Sequence, residues 1–362
     1  MENEAVIYIN ARFLMQPITG VQRFAIEVCR ELKRQGVKIQ LLSPANVLHT
    51  DIAKELGNKK IGGEQQGHYW EQFILTAFLK RLENPVLLNL CNTGPLFYPA
   101  SVVTIHDLAF LKHPKWFAFT FRKLYRFLVP QIAKNAAVVF TVSEFVKKEI
   151  ILKLKVAQER VHVAYNGLSS TFYEPSSKKM DSDRPYFLTF GGQNTRKNVK
   201  GVIGAMQLLE DQEYDLRIVG RAEENFMPNE TNYDAYDFQI IQHNDVDDQE
   251  LKRLYAGAEA LIYPSLYEGF GLPPLEALNS SCPIIISNIE VFRELYSGFA
   301  TFVDPTNVQS IKEGILKVVQ GNNEVISAES LNALNARFSY VETAKIMAQV
   351  IGDLNEGMHG TE

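Results

Sequence analysis

Cysteine is scarce in this chain, and the three present do not group. Cys29, Cys91 and Cys282 are odd in number and far apart, with spacing that matches neither a zinc knuckle nor a redox pair. Each sits in an apolar or helical context, which reads as a buried, inert thiol in a reducing compartment. A basic excess is also missing: 37 Lys and Arg against 42 Asp and Glu leave a net charge of -5, which argues against nucleic acid as a partner. No uninterrupted apolar run approaches the roughly 18 residues of a membrane span. The opening MENEAVIYIN carries acids where a secretion signal needs a basic region. The expectation from these absences is a cytoplasmic protein, neither exported nor membrane-spanning. Neither the P-loop pattern nor the G-x-G-x-x-G fingerprint occurs, and no 20–50-residue repeat or low-complexity tract is present.

What remains is enough for two cores: 362 residues, 46% of them hydrophobic. AVIYI reads as a buried strand. The stretch from Val21 to Gln35 then sets Phe24, Ala25, Val28 and Leu32 on one helical stripe, and VKIQLL returns as a strand. Strand, helix and strand at this spacing form a βαβ unit, hence a parallel sheet. VLLNL (86–90), SVVTI (101–105), AVVFTV (137–142) and VHVAY (161–165) continue it. From Glu174 to Pro185 the pattern lapses into EPSSKKMDSDRP, a polar domain boundary in which DSD (181–183) reads as a solvated turn. Strands then resume as YFLTF (186–190), DLRIVG (215–220), FQIIQ (238–242), ALIYP (260–264) and PIIIS (283–287). A last helix, about Tyr340 to Leu354, puts Val341, Ala344, Met347 and Ile351 on one stripe. Two such α/β domains would face a crevice beyond their strand ends.

Chemistry concentrates in YPSLYEGFGLPPLEALNSSCPIII (263–286). Pro273 and Pro274 suit a helix start, which puts Glu268 in a loop and Glu276 in the first helical turn. Gly269 and Gly271 let backbone N–H groups approach a ligand, and the helix start adds its positive end, a way to hold a diphosphate without a metal. The alternative is a tight turn with a helix-dipole carboxylate. In FLTFGGQNTRKNVKGVIGAM (187–206), Arg196 and Lys197 stand at a helix entrance with Asn198 as N-cap. Cations there oppose the macrodipole, which a docked phosphate would resolve; otherwise they are solvated. Gly20 in PITGVQRF could meet a phosphate or acceptor. His106, beyond SVVTI, could touch a donor sugar or be a hydrogen-bonded loop histidine. Residues 115–127, KWFAFTFRKLYRF, mix aromatics with four basic residues. Packing on its own domain is the favoured reading, and contact with an anionic membrane face the other.

Glu268-GFGLPPL-Glu276 resembles the E-x7-E motif of glycosyltransferase family 4, retaining enzymes of the GT-B fold. TRKN (195–198), TIHDL (104–108), TVSEF (141–145) and YNGL (165–168) are similar to stretches at corresponding places in that family. The resemblance implies two Rossmann-like, doubly wound domains: 1–175 on the acceptor side, 183–339 on the donor side, and a helix over 340–362 crossing back to the first domain. It implies that Glu276 binds the ribose and that Glu268 with the Gly269, Phe270, Gly271 and Leu272 backbone holds sugar and diphosphate. Arg196 and Lys197 neutralise the leaving diphosphate, Gly20 helps seat it, and His106 contacts the sugar near the reacting carbon. It further implies retention by a front-face, oxocarbenium-like route, with no metal and no cofactor. The expected substrates are a GDP- or UDP-linked hexose and a glycan or lipid-linked acceptor, as in a mannosyltransferase of polysaccharide biosynthesis, cytoplasmic or peripheral at the inner membrane face. Ser280–Ser281 and SNIEVFREL depart from the family pattern in the region that bears on the donor sugar, with Glu294 able to keep an acidic position. The alternatives are a GT-B epimerase or phosphorylase, and a non-catalytic nucleotide-sugar-binding subunit.

Overall fold

The computed structural model describes residues 6–174, 180, 182–191, 195–209, 213–220, 237–322 and 326–359, and they form two compact units. The first takes the described residues of Met1–Leu108, Leu124–Gly167 and Ala336–Glu362; the second takes Ala109–Lys123 and Leu168–Asn335. Gly192 and, within the polar stretch expected as a boundary, residues 175–179 and Asp181 lie outside the described residues.

The first unit is built on seven strands: β1 (Ile7–Asn10), β2 (Ile39–Ser43), β3 (Lys59–Lys60), β4 (Leu87–Asn89), β5 (Ser101–Ile105), β6 (Val138–Thr141) and β7 (Val161–Val163). Their order is β3-β2-β1-β4-β5-β6-β7, and every paired neighbour is parallel. The near-continuous burial of β5 and β6 explains why they read as unbroken apolar runs, since such a sheet is covered on both faces. β3 carried no apolar signal. It is two exposed lysines on an edge, where charge discourages pairing with another chain.

The second unit carries β8 (Tyr186–Phe190), β9 (Asp215–Val219), β10 (Ile240–His243), β11 (Ala260–Tyr263), β12 (Ile284–Ser287) and β13 (Thr301–Val303). Their order is β10-β9-β8-β11-β12-β13, again parallel throughout. Phe187, Val202, Leu216, Ile262 and Ile285 share one buried cluster. In both sheets the strand order reverses at a switch point, between β1 and β4 and between β8 and β11. Chains diverge there to opposite faces and leave a crevice beyond the strand ends.

The helix Gly20–Arg34 buries Phe24, Ala25, Val28 and Leu32 completely, as the stripe predicts, and packs on the final helix Tyr340–His359. That final helix corrects one expectation. Ala344, Met347 and Ile351 are fully buried, but Val341 is 55% exposed and Tyr340 takes the inward place. The reason is local: Tyr340 packs against Gly167, where an added Cβ would stand 2.3 Å from the Tyr340 backbone nitrogen. Cys29 and Cys282 are buried and Cys91 partly so. Burial pushes the Cys91 and Cys282 thiols up to about 12, which keeps them unreactive.

Candidate functional site

The second unit's switch point gathers the residues singled out in its half of the sequence. β8 runs into Gly191, whose φ of +131° is open to glycine; a Cβ there would lie 2.4 Å from the Lys197 Cβ. The missing side chain makes room for Lys197 to fold back over the strand end. Arg196 and Lys197 lie in a short 3-10 turn, Thr195–Lys197, and the Leu266 N–H donates to the Arg196 carbonyl at 2.9 Å. That bond ties the loop after β8 to the loop after β11.

Asn198 occupies the N-cap position of the helix Val199–Gln207 but does not cap with its side chain. It adopts left-handed backbone (φ +58°) and its Nδ2 donates to the Pro305 carbonyl at 2.7 Å. The amide is drawn off to the neighbouring loop, leaving the helix start without an internal acceptor from this residue.

Lys197 Nζ donates to Glu268 Oε1 at 2.8 Å and also to the Tyr263 hydroxyl, which itself donates to Glu268 Oε1 at 3.0 Å. Arg196 Nη2 stands 4.0 Å from Glu268 Oε2. Glu268 is 5% exposed, and burial by itself would raise its pKa. The Lys197 charge, followed by that of Arg196, outweighs the burial and holds the carboxyl down at about 2. Tyr263 moves the other way: burial, then the Glu268 charge, push its phenol well above the ordinary value, so it remains a proton donor. The result is two cations and one carboxylate, ionised and pre-placed at a strand terminus.

The loop then turns through Gly269, Phe270 and Gly271 into the helix Leu272–Asn279. Gly271 is required twice over. Its φ is +90°, and a Cβ would stand 2.6 Å from Phe292 Cε1. Its carbonyl accepts from the Tyr296 hydroxyl at 2.6 Å. A helix start leaves its first four backbone nitrogens without intrahelical partners, here those of Gly271, Leu272, Pro273 and Pro274. The prolines have none to offer, so Gly271 and Leu272 supply what the helix start presents to an anion.

Glu276 is the fifth residue of that helix, one residue further in than a start at Pro273 predicts, because the left-handed Gly271 ends the loop early. It is 7% exposed and accepts from the Tyr255 hydroxyl at 3.0 Å. Burial first, then Glu276 and Glu268, push the Tyr296 phenol well above its ordinary value, so both carboxylates lie within electrostatic reach of one ring. Tyr255, Tyr263 and Tyr296 are the residues that sequence reasoning missed. Only Tyr263, closing the strand ahead of the motif, left a trace. Tyr255 lies 21 residues from Glu276, with nothing local to mark it.

Gly20 and His106 belong to the first unit. Gly20 is the first residue of the helix Gly20–Arg34 and is capped by the Thr19–Gln22 box. His106 follows β5, is 6% exposed, and packs edge-on to Phe24 at 4.9 Å between ring centroids. Its Nε2 lies 2.8 Å from the Leu90 carbonyl, which can only accept, so that nitrogen carries the proton. Burial lowers its pKa against the opposing pull of that bond and of Asp107, and the ring is neutral.

In 115–127 the expectation of a segment packed on its own domain meets a divided outcome. Within it Phe117 is buried, whereas Phe119 and Phe127 are 57% and 60% exposed; the buried residues of the helix Phe119–Asn135, namely Leu128, Val129, Ile132 and Ala133, follow the segment. Among the described residues no helix is long and apolar enough to cross a membrane.

Two doubly wound parallel sheets, one with a cation–carboxylate cluster and a glycine turn at its switch point, define the GT-B class. Residues 18–172 match the model of Glycosyltransferase Family 4, and residues 173–334 match that of Glycosyl transferases group 1. The chain is similar to the O-antigen chain mannosyltransferase RfbU of Salmonella typhimurium, 31% identical over 70% of this chain and 69% of that protein. It is also similar to the O-antigen chain mannosyltransferase B of Escherichia coli, 26% identical over 87% and 91%. Among solved structures, HepE of Anabaena, in complex with UDP and glucose, superposes with a TM-score of 0.71 at 14% identity, covering 97% of this chain and all of that one. The chain belongs to glycosyltransferase family 4 and is a glycosyltransferase.

Proposed function

We propose that the protein moves a hexose, with retention of configuration, from a nucleotide-diphosphate sugar to a hydroxyl of a glycan or lipid-linked acceptor during polysaccharide synthesis. Residues 183–339 would form the donor side and 1–175 the acceptor side, with 340–362 completing the latter. The observation that carries this reading is the buried Glu268, held ionised between Lys197 and Arg196 beside the Gly269–Gly271 turn.

Two cations against one carboxylate leave a net positive site. A diphosphate brings the balancing charge and collects more of it as the bond to the sugar breaks. Cations already fixed in place by Glu268 need no reorganisation at that moment, and that is where they lower the barrier. Gly271 and Leu272 add backbone N–H groups, and together these replace a divalent metal in the reading offered here. Glu276, oriented by Tyr255, is the acceptor for ribose hydroxyls, and Glu268 with the Gly269 and Phe270 backbone meets the sugar. Gly20 helps seat the diphosphate. His106, neutral and buried, contacts the transferred sugar as a polar neighbour rather than as a charged acid.

The named mannosyltransferase relatives favour a mannosyl donor, and the UDP in the similar HepE structure keeps a UDP-sugar in the comparison. Transfer from GDP-mannose, UDP-glucose, UDP-galactose and UDP-N-acetylglucosamine, each with and without excess chelator, tests the reading directly. We expect one donor to be turned over at nearly equal rates in both conditions. Complete loss with chelator, restored by manganese or magnesium, removes the metal-free mechanism. Conversion of the free nucleotide sugar into an isomer without acceptor favours an epimerase instead.

A second reading concerns where the enzyme works. The exposed Phe119 and Phe127, on a helix that also carries Arg122, Lys123 and Arg126, suit a peripheral contact with an anionic membrane face.

A further inference from the structure

The first unit has its own polar cluster, at the switch point between β1 and β4, and the donor chemistry above makes no use of it. Asn10 closes β1, Arg12 follows in the short helix Ala11–Met15, and Thr93 lies in the loop after β4. Glu71 comes from a π-helical turn, Trp70–Leu75, inside an otherwise α-helical segment; such insertions re-aim a side chain and recur at functional sites.

The contacts converge on the Glu71 carboxylate. Asn10 Nδ2 donates to Oε1 at 2.8 Å, the Thr93 hydroxyl donates to Oε1 at 3.2 Å, and Arg12 Nε stands 3.3 Å from the same oxygen. His68 Nδ1 lies 3.1 Å from Oε2, and Arg12 Nη2 donates to Thr93 Oγ1 at 2.7 Å. The Glu71 side chain is 1% exposed and that of Arg12 is 12%. Burial would neutralise Glu71, yet Arg12 and then His68 hold its pKa below the ordinary carboxylate value; Glu71 in turn keeps Arg12 charged against its own burial.

Asn10, Arg12, Glu71 and Thr93, together with Gln16 and Phe13, line a small cavity with room for about one water-sized group. A buried ion pair is a poor way to gain stability, because desolvation offsets the attraction and apolar residues of the same shape do as well or better. Spending one at the point where a doubly wound sheet binds ligands points to recognition.

We propose that this cavity receives a hydroxyl of a neutral acceptor sugar, with Arg12 and Gln16 as donors, Glu71 as acceptor and Phe13 as the apolar wall. The inference rests on the transferase reading above and adds the acceptor's chemical class. Arg12 is already neutralised by Glu71, so the cavity has no unmatched cation for a phosphate or carboxylate. A hydroxyl both donates and accepts, and it satisfies a site that presents both kinds of partner within one cavity.

The test uses the full chain and saccharide probes followed by saturation-transfer NMR. The neutral probes are the methyl glycosides of mannose, glucose and N-acetylglucosamine; the anionic ones are mannose 6-phosphate and methyl glucuronide. At least one neutral glycoside should bind the wild type. Glu71→Gln should weaken it about tenfold or more, and so should Gln16→Ala, a half-buried rim position whose loss leaves the ion pair intact should Glu71→Gln fail to fold. Calorimetric binding of GDP and UDP by the same variants should not change. Tighter binding of the anionic probes, equal binding of the neutral ones by wild type and variants, or no saccharide binding by the wild type each overturns the inference. If wild type binds a nucleotide but its saccharide binding ignores these residues, only the inference falls. If it binds no nucleotide at all, the transferase reading falls with it.

Discussion

Lys197 Nζ and Glu268 Oε1 stand 2.8 Å apart, both side chains largely removed from solvent, although they come from loops following different strands, 71 residues apart in the chain. β8 and β11 are neighbours in the sheet, so their carboxyl ends deliver the two groups to one place. The cation is thereby fixed before any ligand arrives.

Under the proposed function, that fixation predicts that Lys197 acts mainly in the transition state. Lys197→Ala should lower kcat on the order of 100-fold or more, as expected for the loss of a preorganised group at a developing negative charge. Steady-state kinetics with the preferred donor decide it. An unchanged kcat with only a raised KM would show that Lys197 supplies uniform binding instead.

The two glutamates should separate under nucleotide titration. Loss of a buried hydrogen-bond acceptor to a ligand costs roughly 1–3 kcal/mol, about 5–150-fold. Glu276→Ala should weaken the bare nucleoside diphosphate and the donor by similar factors. Glu268→Ala should spare the bare nucleotide and depress sugar transfer. Calorimetry on both variants makes the comparison, and the opposite pattern reverses the assignment.

Acid should dissolve the Lys197–Glu268 pair in a defined window. The folded-state pKa of Glu268, about 2, lies below the roughly 4.3 of an unfolded chain, so the unfolded state takes up the proton first. The stabilisation, about 3 kcal/mol for a shift of this size, is complete above about pH 5 and is lost as pH falls toward 2. Melting curves of wild type and Glu268→Gln should converge between pH 6 and pH 3. A gap that stays constant across that range contradicts the pairing.

Gly271 and Gly36 form a matched test of the glycine turn. Both have positive φ, +90° and +82°, but an added methyl meets Phe292 at Gly271 and nothing within 4 Å at Gly36. Gly271→Ala should lower Tm by about 2–10 °C, from roughly 1–3 kcal/mol of strain and clash. Gly36→Ala should cost less. Equal shifts would mean that backbone conformation alone matters at the turn.

For the exposed aromatics, cosedimentation with phosphatidylglycerol vesicles is the measurement. Wild type should bind at low salt, and Phe119→Ser with Phe127→Ser should reduce binding severalfold while leaving transfer to a soluble acceptor unchanged. Equal pelleting of both proteins would assign those side chains no lipid contact.

Much of this was legible in the chain itself. β5 and β8 coincide with SVVTI and YFLTF residue for residue, because a strand buried on both faces leaves an unbroken apolar run that needs no partner to be recognised. The glycines, the double proline and the Arg196–Lys197 pair were readable for the same reason: a turn, a helix start and a charge are local properties. β3 and β13 were not, being two lysines on an edge and a three-residue strand with little periodicity to detect. Which side chains meet is a different kind of information. Tyr255 with Glu276, Lys197 with Glu268, and Arg12 with Glu71 join segments between 21 and 71 residues apart. The order in which strands pair settles those meetings, and burial then turns each meeting into a shifted charge. Local periodicity determined the elements; the sheet order, reversing between β1 and β4 and between β8 and β11, decided where chemistry could gather.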